Sequence, residues 1–137
     1  MRAPSIDAFL AELPGEPDAL QAAVVPAVRS YLAEVRRYLS ELHRSADSGR
    51  RVNEANSDLT DRLIRRLFDL AEGLHLARGG ALEEGVCVIA VGGFARREMS
   101  IHSDVDLLVL YREQQTPYLG FIAERLQYWL WDAGLRI

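Results

Sequence analysis

An α+β architecture is predicted by three features of the amino-acid sequence. On both sides of residue 50, apolar residues recur at three- and four-residue spacing, the period of an amphipathic helix. After residue 85 two short, continuous apolar runs appear, bounded by glycines and polar residues, as buried strands are. A last stretch of helical period follows the second run. The composition permits such a domain: 137 residues, 49% of them hydrophobic, with a net charge of −4. That is enough apolar surface for a core, and it lies outside the range of chains too polar to fold.

Residues 1–25 read as an irregular or weakly helical arm, interrupted by Pro4, Pro14 and Pro17. The helical region is expected over 26–80. Pro26 suits the first turn of a helix, where a missing N–H costs nothing. Val28, Tyr31, Leu32, Val35, Tyr38, Leu39 and Leu42 then form one apolar face, and the polar stretch Ser45–Gly49, with Asp47, should end it. A second helix is expected from Asn53 to Arg78. Its stripe is Leu59, Leu63, Leu67, Leu70 and Leu74, supported by Ile64 and Phe68, and Gly79-Gly80 closes it. Asp58 with Arg62, and Asp61 with Arg65, are acid-then-base pairs four residues apart. The arginine-rich face of Arg62, Arg65 and Arg66 is read as solvated and balanced by aspartates in preference to a nucleic-acid surface.

Residues 81–137 form the third region. Val86–Val91 reads as one buried strand and Asp104–Tyr111 as another. Thr116-Pro117 carries helix-start chemistry. Phe121, Ile122, Leu126, Trp129 and Leu130 make the apolar face of a third helix that Gly134 should end, and Leu135–Ile137 could begin another strand.

Composition also removes whole classes of function. All 16 basic residues are arginine, so neither a Schiff-base lysine nor a phosphate-loop lysine can operate. A single cysteine, Cys87, excludes a disulfide framework and a cysteine-based zinc site. No run approaches the roughly 20 apolar residues of a membrane helix, and the N-terminus lacks a secretory signal. A cytoplasmic location without membrane association is expected. Mild acidity argues against DNA binding, which shows as a basic patch or stripe.

The segment Val91–Leu108 carries the chemistry. Asp104 and Asp106 stand two apart in a predicted strand, which turns both carboxylates to one face with Cα atoms roughly 6.5–7 Å apart. Such a pair beside apolar residues calls for a positive partner. A hard divalent cation, Mg²⁺ first, supplies it, with water and substrate phosphates completing its shell. Gly92-Gly93 follows the first strand, where absent side chains let the backbone approach a phosphate. Arg96 can neutralise phosphate charge with its fork of donors, and Ser103 can add a hydroxyl. A nucleoside triphosphate with its metal fits this layout, and in-line phosphoryl or nucleotidyl transfer needs little more than positioning and metal charge.

Gly92-Gly93-Phe94-Ala95-Arg96-Arg97-Glu98 followed by Ser103-Asp104-Val105-Asp106-Leu107 resembles the signature of the DNA polymerase β-like nucleotidyltransferase superfamily. With the helices from about Tyr31 and the Trp131–Leu135 segment, most of the chain is similar to the N-terminal part of the bacterial PII-protein uridylyltransferase/uridylyl-removing family. The resemblance implies an α+β fold in which a helical N-terminal region packs on a nucleotidyltransferase sheet, truncated at residue 137. It further implies transfer of UMP from UTP to a tyrosine of the nitrogen-regulatory PII protein. Carried over, Asp104 and Asp106 bind Mg²⁺ and are catalytic, Gly92 and Gly93 line the triphosphate, and Arg96 and Ser103 contact phosphate. Glu98 matches the motif and could orient Arg96 or the turn. Ala95 and Arg97 depart from it, standing where glycines are frequent, and Arg97 is expected to face solvent.

The superfamily's third carboxylate, on a later strand, has no counterpart. Glu113 falls in an expected loop, and Glu124 and Asp132 fall on the third helix. His43, His75 and His102 are scattered and read as surface or helix-face residues instead of ligands. The UMP-removing and glutamine-sensing domains of the family are also missing. Two alternatives stay open: nucleotidyl transfer to another acceptor, such as protein adenylylation, and a non-catalytic nucleotide-binding fragment.

Overall fold

The computed structural model describes residues 2–45, 48–112 and 114–137. Its elements run α1 (Ile6–Leu10), α2 (Pro17–Ser45), α3 (Gly49–Ala77), β1 (Cys87–Ala90), α4 (Gly92–Ala95), β2 (Leu107–Leu110) and α5 (Pro117–Asp132). The α+β class is as expected: a helical layer supports a small antiparallel sheet of two strands. Asp47 and Glu113, placed in loops from the sequence, lie outside the described residues.

One correction concerns the irregular or weakly helical arm expected ahead of Pro26. Ile6–Leu10 form α1, and α2 starts at Pro17, well before Pro26. The start is made by Glu16, whose carboxylate accepts the backbone N–H groups of Ala19 (2.8 Å) and Asp18 (3.0 Å). Those two bonds hold the Glu16 carboxyl below its ordinary pKa. Pro26 sits inside the helix. Proline costs about 3 kcal/mol in a helix interior, but Val24 and Val28 on either side are both completely buried. Interrupting the helix there would expose that stripe, so tertiary burial overrides local propensity. α1 packs through Ile6 and Leu10, and Phe9 meets the Tyr31 ring edge-on at 5.8 Å.

α2 and α3 run antiparallel. Arg78, just after α3, reaches Asp18 and Gln21 at the start of α2. Halfway along the pair, Tyr31 donates its hydroxyl to the Leu59 carbonyl at 2.8 Å. α3 begins at Gly49, four residues ahead of the expected start, because Val52 adds another core contact. Leu59, Leu63, Ile64, Leu67 and Leu74 are buried as expected, while Ala71 takes the central place that periodicity assigned to Leu70. Asp61 pairs with Arg65 and Asp69 with Arg66, so much of the arginine face is balanced by aspartates. Asp58 does not pair with Arg62; its partner is described below.

α5 lies across both long helices. Tyr118 donates to Glu72 of α3 at 2.6 Å, and Arg29 of α2 donates to the Asp132 carbonyl. Both ends of α5 follow the sequence reading. Thr116 Oγ1 accepts the Leu119 N–H, with Pro117 at the first helical position. At the other end Gly134 adopts φ +97°, the Gly134 N–H bonds to the Trp131 carbonyl, and the Leu135 N–H bonds to the Leu130 carbonyl. This is a Schellman closure. An alanine forced into that left-handed conformation costs about 1–2 kcal/mol. Gly134→Ala is therefore expected to lower the melting temperature by a few degrees in a thermal melt.

Of the two places read for His75, surface or helix face, it takes the second: it is buried on α3 and packs against Tyr118 and Phe121, with ring centroids 5.7 and 5.4 Å away. Gly80 is what admits it, since a Cβ there would lie 2.3 Å from His75 Nε2.

The strands differ most from expectation. Each is four residues long and neither is buried on both faces. Val88, Ala90, Leu107 and Val109 are half-buried, and three of them line a cleft of ≈ 440 Å³ with Ile64 and Phe68 of α3. Cys87, Ile89, Leu108 and Leu110 are exposed on the other face. A sheet covered by helices on one side only must alternate in this way, and a continuous apolar run does not reveal which face is covered. No helix of the described residues is long and apolar enough to cross a membrane.

Burial pushes the Tyr31 hydroxyl up to about 12. Burial, then the hydrogen bond to Glu72, raises Tyr118 as well. Unfolded tyrosine ionises near pH 10, so between pH 10 and 12 the native state binds more protons than the unfolded one. Stability contributed by these two hydroxyls is complete below pH 10 and lost as pH rises through the window. A loss on the order of 1–2 kcal/mol by pH 11 is expected from urea melts at pH 9 and 11.

Candidate active site

β1 pairs with β2 from Cys87 opposite Leu110 to Ala90 opposite Leu107. One further rung follows, from the Val91 N–H to the Asp106 carbonyl at 3.0 Å. That rung brings the Gly92-Gly93 turn beside the second aspartate. Gly92 has φ +60°, and a Cβ on it would lie 2.9 Å from Asp106 Oδ2. Only a residue without a side chain allows both the conformation and the approach.

The turn expected after β1 is a single helical turn, α4. It ends on Arg97, the one non-glycine residue with positive φ (57°) among the described residues. The Glu98 N–H bonds to the Gly93 carbonyl at 2.9 Å and the Arg97 N–H to Phe94 at 3.1 Å, so Arg97 occupies the left-handed position of a Schellman closure. Glycine favours that position, which explains why it is frequent in the motif. Arg97 is exposed, as expected, but it is not free in solvent. Its guanidinium forks onto the Asp58 carboxylate of α3, Nε to Oδ1 at 2.9 Å and Nη2 to Oδ2 at 2.6 Å. That contact raises the Arg97 pKa further and takes Asp58 away from Arg62.

Asp104 and Asp106 lie just ahead of β2, not within it. The extended alternation nevertheless holds there: Val105 is 1% exposed while both neighbours are exposed. Burying Val105 turns the two carboxylates to the opposite, open side. The Val105 N–H donates to the Arg136 carbonyl at 2.7 Å, so the Leu135–Ile137 segment runs beside the aspartates without forming an assigned strand. Arg136 Nε stands 3.1 Å from Asp104 Oδ1, in a well-exposed pair. Exposed pairs of this kind contribute at most about 1 kcal/mol, so a stronger cation could displace the arginine. No ion pair involves Asp106 among the described residues.

Arg96 donates from Nε to Glu98 Oε2 at 2.9 Å, with both side chains 63% exposed. The pairing is the contact that one of the two roles considered for Glu98, orienting Arg96, requires. Ser103 Oγ accepts the Ser100 N–H (3.0 Å) and lies 2.8 Å from Ser100 Oγ. Its hydroxyl is engaged in holding the turn before Asp104, so a phosphate would have to compete for it.

Two residues of α3, Asn56 and Ser57, were not singled out from the sequence, and Asp58 was read only as a partner of Arg62. All three bond to the segment Arg97–Ser100. Asn56 Nδ2 donates to the carbonyls of Met99 (3.1 Å) and Ser100 (3.0 Å), and Ser57 Oγ accepts the Met99 N–H. Asn56 and Ser57 are buried, and unmade bonds at such groups cost about 1–3 kcal/mol each. The available signal was a polar pair inside an apolar helical pattern, because buried polar groups need partners.

The residues present suit a hard divalent cation. Two carboxylates share one open side, and the described residues hold no cluster of three or more metal-ligating side chains. Magnesium takes one or two carboxylates and leaves the rest of its shell to water and substrate phosphates.

Residues 33–137 match the family model described as "Putative nucleotidyltransferase DUF294". The chain belongs to this nucleotidyltransferase family. The match takes in the second part of α2 from residue 33, all of α3, the Gly-Gly turn, both aspartates and α5. Bifunctional uridylyltransferase/uridylyl-removing enzymes are similar to most of the chain. One from Erythrobacter litoralis is 33% identical over 93% of it, one from Rhodospirillum rubrum 42% over 77%, and one from a Bradyrhizobium species 32% over 98%. The matched parts amount to only 14%, 11% and 15% of those relatives. No solved structure matches the chain.

Proposed function

We propose that this nucleotidyltransferase domain takes UTP with Mg²⁺ and transfers UMP to a tyrosine of a PII signalling protein. The contact that carries the reading is Gly92 against Asp106, which sets a side-chain-free stretch of backbone beside a carboxylate on the open side of the sheet. Similarity to uridylyltransferase/uridylyl-removing enzymes supports uridine as the donor base. The PII acceptor rests on the family resemblance.

In this reading Asp104 and Asp106 would hold the metal, with Arg136 giving up its exposed pair with Asp104. Gly92 and Gly93 let the triphosphate approach the main chain without steric conflict. Arg96, held by Glu98, presents its remaining donors to phosphate oxygens. Ser103 adds its hydroxyl if the Ser100 bond gives way. The metal, once bound, neutralises charge on the triphosphate and on the leaving pyrophosphate. Positioning by these residues supplies most of the remaining rate, since the transfer needs little covalent help.

Calorimetric titration of the chain with UTP, with and without Mg²⁺, tests the reading. Metal-dependent binding is expected, and its absence overturns the proposal. Labelled UTP then tests transfer to PII, with labelled ATP as the competing donor. Binding without transfer marks a nucleotide-binding module; a preference for ATP makes the domain an adenylyltransferase.

A further inference from the structure

The geometry points to Asn56, Ser57 and Asp58 of α3 as positioning residues for the nucleotide site, clamping the loop that joins its phosphate turn to its carboxylates. The inference rests on the function proposed above, because it assigns a role within that same site. Three consecutive helical residues grip three residues of the loop, Arg97, Met99 and Ser100, through five hydrogen bonds. Asn56 is 8% exposed and Ser57 1%, so most of the grip is out of water. Ser57 uses both its capacities, donating to the Asn53 carbonyl at 2.8 Å while accepting from Met99.

The loop has no regular structure of its own to hold it. It leaves α4 through Arg97, in a conformation that a non-glycine side chain rarely adopts. Such a residue persists where its surroundings over-determine it, and the two-pronged bond from Asp58 does so here. Met99, 2% exposed, anchors the loop in the core. Beyond it, Ser100 bonds to Ser103, the residue immediately before Asp104. An unbroken series of contacts thus runs from α3 through the loop to the first carboxylate. The same loop carries Glu98, which pairs with Arg96.

The helix thereby sets the spacing between the groups that would meet phosphate and those that would meet the metal. The phosphate turn follows β1 and the carboxylates precede β2, so the two are otherwise joined through the β1–β2 pairing and its last rung, Val91 to Asp106. Loosening the clamp should misplace them while leaving the helical core folded.

Asn56→Ala and Asp58→Ala test this, with Val24→Ala, completely buried towards the Arg78 end of the α2–α3 pair, as a control that loosens the core away from the loop. The Kd for UTP with Mg²⁺ is expected to rise at least about 10-fold in Asn56→Ala and about 3-fold in Asp58→Ala. Val24→Ala should stay within about 2-fold of the parent chain, even with an equal or larger fall in Tm. Amide hydrogen exchange should accelerate over residues 92–106 in the two α3 variants and not in the control. Asp58 is half exposed, so its variant remains readable if Asn56→Ala fails to fold. Unchanged Kd and unchanged exchange over 92–106 in Asp58→Ala and any folded Asn56→Ala overturn the clamp. If the parent chain itself fails to bind UTP, the nucleotide reading falls; the exchange data then decide separately whether α3 holds the loop.

Discussion

Asp106→Ala is expected to abolish metal-dependent UTP binding, with a loss of at least about 100-fold in affinity by calorimetry. Of the two aspartates, Asp106 is the one without an ion pair among the described residues, and its carboxylate lies against Gly92. Removing it takes away half of the metal's proposed protein ligands and leaves a single carboxylate, the fewest with which magnesium is usually held. The fold should survive, because Asp106 is exposed and its backbone rung with Val91 does not involve the side chain. A Tm within about 2 °C of the parent chain separates loss of a ligand from loss of structure. Gly92→Val offers a complementary test from the other side of the contact. It keeps both carboxylates, yet it strains the φ +60° turn and drives a side chain into Asp106 Oδ2. Weakened UTP binding with retained folding is expected there too; unchanged binding in both variants would sink the assignment of this site.

Leu63→Ala should produce the largest loss of stability. Leu63 is completely buried on α3, in the core shared with α2 and α5. A buried leucine replaced by alanine loses about 2–5 kcal/mol, the higher values where neighbours cannot collapse into the cavity. Long helices packed on both sides have little freedom to close that space. Against a total stability of about 5–15 kcal/mol, the change consumes a large fraction. A fall in the urea midpoint without a change in its slope is the expected signature. A loss below about 1 kcal/mol would mean that the interface around Leu63 is far looser than its burial indicates.

The helical layer was largely legible because amphipathic periodicity is a local signal. Leu59, Leu63, Leu67 and Leu74 announced the buried stripe of α3, and Thr116-Pro117 and Gly134 announced the ends of α5. Pro26 was misleading for the same reason. Its penalty is local, whereas the burial of Val24 and Val28 that outweighs it depends on α3 and α5 being in place. The two strands were found at the right places but assigned too much burial. Val86–Val91 has no internal alternation to show that its outer face would remain open.

At the candidate site, the sequence by itself determined which groups are present: two carboxylates flanking a residue that must be buried, and a pair of glycines after a strand. Their spacing was enough to put Asp104 and Asp106 on one side, even though β2 starts after them. Tertiary structure alone decided which groups meet. The Gly92–Asp106 contact spans 14 residues, Arg97–Asp58 spans 39 and Asn56–Ser100 spans 44. Periodicity says which face of an element is apolar, but carries no information about its partner across such separations. That choice follows from how α3 packs beneath the sheet, where buried Asn56 and Ser57 find the loop's backbone groups because no water remains to satisfy them.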